Sequence, residues 1–220
     1  MKDEPRILVL STGEALPNKG GSGFEQMVLQ SRTNPRILNG KIVAVISNHQ
    51  FGGVRDRAFR LGIPFEHWAG PFTAEGYQEK VAKYQADHTT CSGWLKPVRG
   101  LEPEQTTNIH PAMPISRFGG PGFWGHHVHS EVHAAFLRGE ITQTGVTMHF
   151  VTDYQNPADY DKGPIFWEFP VLLEKGDTPD SIGAKVNKVE HCWQSYMLNK
   201  VIQGDIYLDP KTLTVHYRGE

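Results

Sequence analysis

The sequence predicts an α/β fold built on a doubly wound, mostly parallel sheet, and three observations predict it. Residues 6–11 (Arg-Ile-Leu-Val-Leu-Ser) and 41–47 (Lys-Ile-Val-Ala-Val-Ile-Ser) are unbroken apolar runs. That is the pattern of strands covered on both faces. Each is followed by a stretch of helical spacing. Strand and helix patterns alternate three times before residue 90, which is how parallel neighbours are joined.

The elements follow in order. After the first strand, Gly20-Gly21-Ser22-Gly23 leads into a helix over 24–30. Strand, glycine-rich turn, helix is a way to gather backbone N–H groups around a phosphate. The turn lacks the Lys-Ser/Thr of a P-loop and the Gly-x-Gly-x-x-Gly spacing, so an ordinary connecting loop fits it equally well. Residues 54–61 form an amphipathic helix stopped by Gly62, 63–68 a third strand, and 73–86 a helix with Thr73 as N-cap. The next strand, 88–92, is unusually polar (His-Thr-Thr-Cys-Ser). A short strand ends at His110, where Pro111 stops the ladder. A helix over 130–138, stopped by Gly139, leads to a half-buried strand over 145–152 and another strand over 165–172. Asp177-Thr178-Pro179 opens a long helix reaching about 203, and 206–217 is a hairpin turning at Asp209-Pro210-Lys211. No linker divides the chain.

Composition narrows the function classes. A length of 220 residues suits one α/β domain with a sizeable core, and 21% charged residues is ordinary for a globular protein. A net charge of -2 without a basic block argues against nucleic acid as a partner. Cys91 and Cys192 stand far apart with no Cys-x-x-Cys, which argues for a reducing compartment and against a zinc site or disulfide framework. The first residues carry no apolar signal region and no run reaches membrane-spanning length. The expectation is a cytoplasmic protein with no membrane partner.

The residues that carry chemistry begin with Asn108 and His110. Alternate residues of a strand share a face, so an amide and an imidazole stand side by side at its C-terminal edge. Ligands of open α/β sheets bind at that edge. A lone Asn-x-His more often just ends a strand. Asp161-Lys162-Gly163-Pro164, at the mouth of another strand, turns the odds toward a site. His126, His127, His129 and His133 cluster, with His129 and His133 at i and i+4, but without a His-Glu-x-x-His pattern. They read as ordinary histidines rather than metal ligands. Phe166, Trp167, Phe169, Trp193 and Tyr196 read as core.

Taken together, Asn108-Ile109-His110-Pro111, then Gly145-x-x-x-His149-Phe-Val-Thr-Asp153, then Asp161-x-Gly163-Pro164-Ile165 resemble the folate-dependent formyltransferases. The chain is most similar to the branch acting on glycinamide ribonucleotide. The likeness continues in Gly21-Ser22, Ile46-Ser47-Asn48, Gly62-Ile63-Pro64, Gly93-Trp94-Leu95-Lys96, Gly176-Asp177-Thr178-Pro179 and Val189-Glu190-His191. Each is common, but their order and spacing are specific. The resemblance implies a Rossmann-like sheet with an antiparallel C-terminal part and one formyltransferase domain over 1–220. It implies 10-formyltetrahydrofolate as co-substrate, no metal, a role in purine synthesis, and a monomer or homodimer. Other implied outcomes are a related formyltransferase or hydrolase with a different acceptor, or a non-catalytic nucleotide- or folate-binding module.

Site roles also come from the resemblance. Attack of an amine on a formyl carbon develops an oxyanion and moves a proton. Asn108 would stabilise the oxyanion, His110 would donate to it and move protons, and Asp161 would orient the imidazole and raise its pKa. Backbone N–H groups of Gly21, Ser22 and Gly23 would bind the nucleotide phosphate, and Glu190 the ribose hydroxyls. Leu95, Lys96 and Val98 would bracket the pterin. The chain departs from the family at Gly23, where an asparagine is frequent, and at Lys96, where an arginine is common. It also departs at 14–19, 112–122 and 153–162. Asp153 and Asp159 compete with Asp161, and adjacency to Gly163-Pro164 decides for Asp161. The 153–162 loop is expected to fold over the folate side, bringing Tyr154 or Tyr160 near the cofactor.

Overall fold

The computed structural model describes residues 4–17, 19–153 and 160–219. Strands β1 (Arg6–Leu10), β2 (Lys41–Ser47), β3 (Phe65–His67), β4 (His88–Ser92), β5 (Thr106–His110), β6 (Gln143–Phe150) and β7 (Ile165–Leu172) make one sheet in the order β3-β2-β1-β4-β5-β6-β7. The first five strands run parallel, and β6 and β7 are antiparallel additions. A separate hairpin pairs β8 (Ile206–Asp209) with β9 (Thr214–Tyr217). The expected mostly parallel sheet with an antiparallel C-terminal part is what forms.

Helices cover both faces because alternate strand residues on each face are apolar. Ile7 and Val9 meet Phe24, Met27 and Val28 of α1 (Ser22–Gln30), Val54 and Ala58 of α2 (Gly53–Leu61), and Leu198 of α6 (Pro179–Ile202). On the opposite face Leu8, Leu10, Ala44 and Ile46 meet Tyr77 of α3 (Ala74–Tyr84) with Trp68 and Trp94. The third cluster packs Val146, Met148, Phe150 and Phe166 against Val128, Val132 and Ala135 of α5 (His126–Leu137) and Ile182 and Val186 of α6. Thr73 caps α3 by accepting from the Gly76 N–H at 3.2 Å, and Thr178 caps α6 in a capping box with Ser181.

The polar strand β4 is central and wholly buried. Its hydroxyls and imidazole satisfy one another across the sheet: His88 Nε2 lies 3.1 Å from Thr107 Oγ1, which donates to Thr90 Oγ1 at 3.1 Å. Internal hydrogen bonds replace the missing apolar run.

Four expectations change. Helix α5 begins at His126, four residues before the predicted start, and a short helix α4 (Ile115–Phe118) fills a stretch with no predicted element. Strand β6 is buried on both faces rather than one. Its polar face is covered by the chain after β5, where Thr147 Oγ1 donates to the Ala112 carbonyl at 2.8 Å. Of the five aromatics read as core, only Phe166 is buried. Trp167, Phe169, Trp193 and Tyr196 form a partly exposed ladder with ring centroids 5.6–5.8 Å apart across β7 and α6. Among the described residues no helix is long and apolar enough to cross a membrane.

Candidate active site

Strand order reverses between β1 and β4, and in an open α/β sheet a crevice forms there at the strands' C-terminal ends. The two ends are tied together: Thr12 N–H donates to the Gly93 carbonyl at 2.9 Å, and Leu95 N–H to Thr12 Oγ1 at 2.9 Å. A cleft of about 1050 Å³ opens above them, extending from the start of α1 to the end of β5 and bordered by Trp94, Phe123, Trp124 and Tyr160.

At one end stands the cluster around Asp161. Strand β5 presents Asn108 and His110 on one face, and the antiparallel register sets Asn108 opposite His149 of β6. Asp161 reaches both β5 residues. Its Oδ1 accepts from Asn108 Nδ2 at 3.2 Å, and its Oδ2 lies 3.4 Å from His110 Nδ1. Gly120 N–H also donates to Oδ2, at 3.2 Å. Asp161 itself takes a left-handed backbone conformation (φ 61°). The adjoining Gly163 passes so close to β6 that a Cβ would stand 1.8 Å from the Phe150 carbonyl oxygen. That contact is the physical reason for glycine at this point of the motif.

Tautomers follow from the partners. His110 Nε2 faces the Phe118 carbonyl at 2.7 Å, and a carbonyl only accepts, so Nε2 carries the proton. A neutral His110 therefore turns a bare Nδ1 toward Asp161. His149 Nδ1 donates to the Phe150 carbonyl at 2.9 Å, which leaves Nε2 to accept from Asn108 Nδ2 at 3.1 Å. The next proton taken up by His110 lands on Nδ1, against the carboxylate.

Burial lowers the His110 pKa below the ordinary histidine value, although Asp161 and the Phe118 carbonyl pull it upward. The raised pKa expected from the carboxylate alone is thus corrected: desolvation of the imidazolium outweighs the pair. For Asp161 burial acts upward, but the His149 and His110 rings and the Gly120 N–H outweigh it and hold the acid below its usual range.

The other end of the cleft is the start of α1. Gly21 caps the helix in the left-handed region (φ 76°), and Ser22 and Gly23 form its first turn. First-turn N–H groups have no intrahelical acceptor and carry the positive end of the helix dipole. Glu190 of α6 lies on the same wall, with Asn187 Nδ2 donating to it at 3.2 Å. Burial pushes its carboxyl up to about 7, against the pull of Asn187.

The remaining expected residues are dispersed. Leu95 borders the cleft and is exposed. Lys96 places its ammonium 5.8 Å from the Phe72 ring centre, and Val98 is buried beside Trp94 in the core. Val98 also lines a small pocket behind the cluster around Asp161, with Asn108, His149 and Asp161. Asp153 accepts from the Gly100 N–H at 2.7 Å and has no part in the cluster. Tyr160 lines the cleft and donates to the Trp94 carbonyl at 3.1 Å, whereas Tyr154 and Asp159 lie outside the described residues. His126 pairs with Asp180 at 3.1 Å. Burial, then the neighbouring His126 and His110, lower His129 to about 4.

Three contributors escaped sequence reasoning. His149 sits in a quoted motif, but only the β5–β6 register shows that it meets Asn108. The Phe118 carbonyl belongs to a segment with no predicted element. Gln194, facing the start of α1, had no motif to mark it.

A formyl transferase family model matches residues 6–198. The chain is 28% identical over 183 residues to the chloroplastic phosphoribosylglycinamide formyltransferase of Arabidopsis thaliana, covering 78% of this chain and 59% of that protein. It therefore spans less than two thirds of that relative's length. It is 27% identical over 198 residues to the phosphoribosylglycinamide formyltransferase of Escherichia coli (strain K12), covering 84% of this chain and 81% of the relative. The crystal structure of phosphoribosylglycinamide formyltransferase from Anaplasma phagocytophilum superposes with a TM-score of 0.77 at 22% identity, covering 99% of this chain and 96% of that one. With the match extending over most of the sheet and through the cluster around Asp161, the chain belongs to the formyl transferase family.

Proposed function

We propose that the protein transfers a formyl group from 10-formyltetrahydrofolate to the amine of glycinamide ribonucleotide, a step of purine synthesis. The observation that carries this reading is Asp161 bridging Asn108 and His110 at one end of a cleft whose other end is a helix N-terminus. Names of the relatives point the same way. At about 1050 Å³ the cleft is at the upper end of single-ligand pockets, roughly 300–1,000 Å³, which suits two substrates side by side. Its wall beside the cluster is apolar and aromatic (Leu95, Trp94, Tyr160), which fits a flat heterocycle.

The reaction forms a bond from the amine nitrogen to the formyl carbon and breaks the bond from that carbon to the folate nitrogen. One proton leaves the amine and one arrives at the folate nitrogen. His110 is suited to carry it, since its Nδ1 is the free basic atom and Asp161 stabilises the imidazolium that results. Asn108 Nδ2–H and His110 Nε2–H are the donors for the oxyanion. Both are held internally by His149, Asp161 and the Phe118 carbonyl, so substrate must exchange with those acceptors. In this reading Gly21, Ser22 and Gly23 hold the phosphate, Glu190 accepts from the ribose hydroxyls, and Leu95, Lys96 and Val98 bracket the pterin. One domain over 1–220, acting in the cytoplasm as a monomer or homodimer, carries the reaction without a metal.

The test is folate release from 10-formyltetrahydrofolate by purified protein, with and without glycinamide ribonucleotide. Release that depends on the nucleotide supports the proposal. Release without it would identify a hydrolase, and no release in either case would leave only a binding protein.

A further inference from the structure

Position 23 is a glycine, and the structure gives a reason for it. A Cβ on Gly23 would stand 2.4 Å from Ser92 Oγ and 3.0 Å from Gln194 Oε1. The first is shorter than real Cβ contacts and the second is tight, so a side chain here would displace Ser92 and press on Gln194. The space beside the first turn of α1 is already filled by a serine at the end of β4 and a glutamine from α6.

Gln194 is 2% exposed and Ser92 8%. Ser92 Oγ donates to Gln194 Oε1 at 3.3 Å, which fixes the carbonyl end of the amide and turns the NH2 group away from Ser92. That Nε2 is buried and has no hydrogen-bond partner among the described residues. A buried donor without an acceptor is rare and costly, and it calls for a missing partner. Gln194 borders the cleft together with Ser22, Gly23 and Ser92. Ser11, at the end of β1, borders it too, and its buried Oγ is likewise unpartnered. Glu25, the acidic residue of this helix turn, is held by Arg57 at 3.0 Å and by Arg60. Its charge is thereby countered near the helix start.

We propose that Gln194 is a phosphate-binding residue of this chain, its Nε2 donating to the nucleotide phosphate seated at the start of α1. The amide is supplied from α6, steadied by Ser92, with Ser11 as a further donor. This rests on the proposed formyl acceptor being a 5′-phosphorylated nucleotide. A phosphate brings acceptor oxygens to the orphaned N–H and charge to the helix dipole, which a neutral sugar does not.

The experiment compares two probes by calorimetry on the full chain: glycinamide ribonucleotide and its 5′-dephosphorylated nucleoside. For wild type the nucleotide binds more tightly. In Gln194→Leu the ratio of the two affinities falls by about 10- to 100-fold, the range for one hydrogen bond to a charged group, while nucleoside affinity stays unchanged. Gln194→Glu lowers the ratio further by repelling the phosphate. If Gln194→Leu fails to fold, Ser92→Ala reads the same ratio, with a severalfold loss expected as the amide is freed to rotate. A folded variant that keeps the wild-type ratio overturns the proposal and leaves the formyl-transfer reading intact. Equal loss of both probes also overturns it, since that marks a packing role. A wild type that binds neither probe overturns both readings.

Discussion

The two ends of the cleft differ in how their polar groups are spent. Around Asp161 nearly every one is engaged within the protein: Asn108 with Asp161 and His149, His110 with Phe118, His149 with Phe150, and Asp161 with Gly120. Around the start of α1 several are unmet. Among the described residues Ser11 Oγ and Gln194 Nε2 have no partner, and Glu190 is pushed toward its neutral form. A ligand at the second end completes hydrogen bonds, whereas one at the first must exchange them. Affinity should therefore come mainly from the end at the start of α1. Some of that binding energy is then available to rearrange the end around Asp161, which is how remote contacts raise turnover.

The largest effect belongs to the end around Asp161. His110→Asn removes the proposed proton carrier but keeps a polar side chain of similar reach. Turnover should drop by roughly 10²–10⁴-fold, the range for a positioned acid–base. Nucleotide affinity, set at the other end, should stay within a few-fold of wild type. Steady-state kinetics and calorimetry on the folded variant check this. A variant with near-normal turnover would remove His110 from the chemistry, and one with collapsed nucleotide affinity would break the separation of the two ends.

Asp161→Asn comes next. Asp161 is the main influence raising the His110 pKa against burial. Its loss should depress that pKa further, so that the ring accepts a proton only at still lower pH, and turnover should fall by roughly 10²-fold. Asp153→Asn should leave the His110 titration alone, because Asp153 is bound to Gly100 instead. Following the His110 ring by NMR in both variants decides the point. A shift in Asp153→Asn alone would reassign the carboxylate.

These outcomes bear on what the sequence made legible. The parallel strands were readable because their apolar runs and helix caps, such as Thr73 and Thr178, are local signals. The site's inner members were readable because Asn108 and His110 are two apart on one strand and Gly163-Pro164 marks Asp161. What escaped depends on register or on space between distant elements. His149 meets Asn108 only through the pairing of β5 with β6, and Gln194 meets Gly23 only because α6 crosses above α1. The His110 pKa was misjudged for a related reason. A charge partner can be read from a motif, but the completeness of burial that outweighs it is a property of the packed molecule.

Glu190 gives the smallest effect and probes the unmet end most directly. Its folded pKa of about 7 lies above the 4.5 of an ordinary glutamate. Between those two values the folded chain keeps a proton that the unfolded chain has released. Stability attributable to this group therefore falls as pH rises through that window and levels off above 7. His88 slopes the other way, since burial lowers it to about 3 and the fold loses stability on acidification below the ordinary histidine value. Only the difference between wild type and variant isolates Glu190. Glu190→Gln should match wild type near pH 4.5 and exceed it at pH 8 by about 1–2 kcal/mol, below the full shift because the carboxyl borders an open cleft. The same variant should lose affinity for the ribonucleotide chiefly at high pH, where wild type presents a carboxylate to the ribose hydroxyls. Urea unfolding and calorimetry at pH 4.5, 6 and 8 measure both. Parallel stability curves would show that the carboxyl is not held neutral, and the contrast between the two ends would then rest on Gln194 and Ser11 alone.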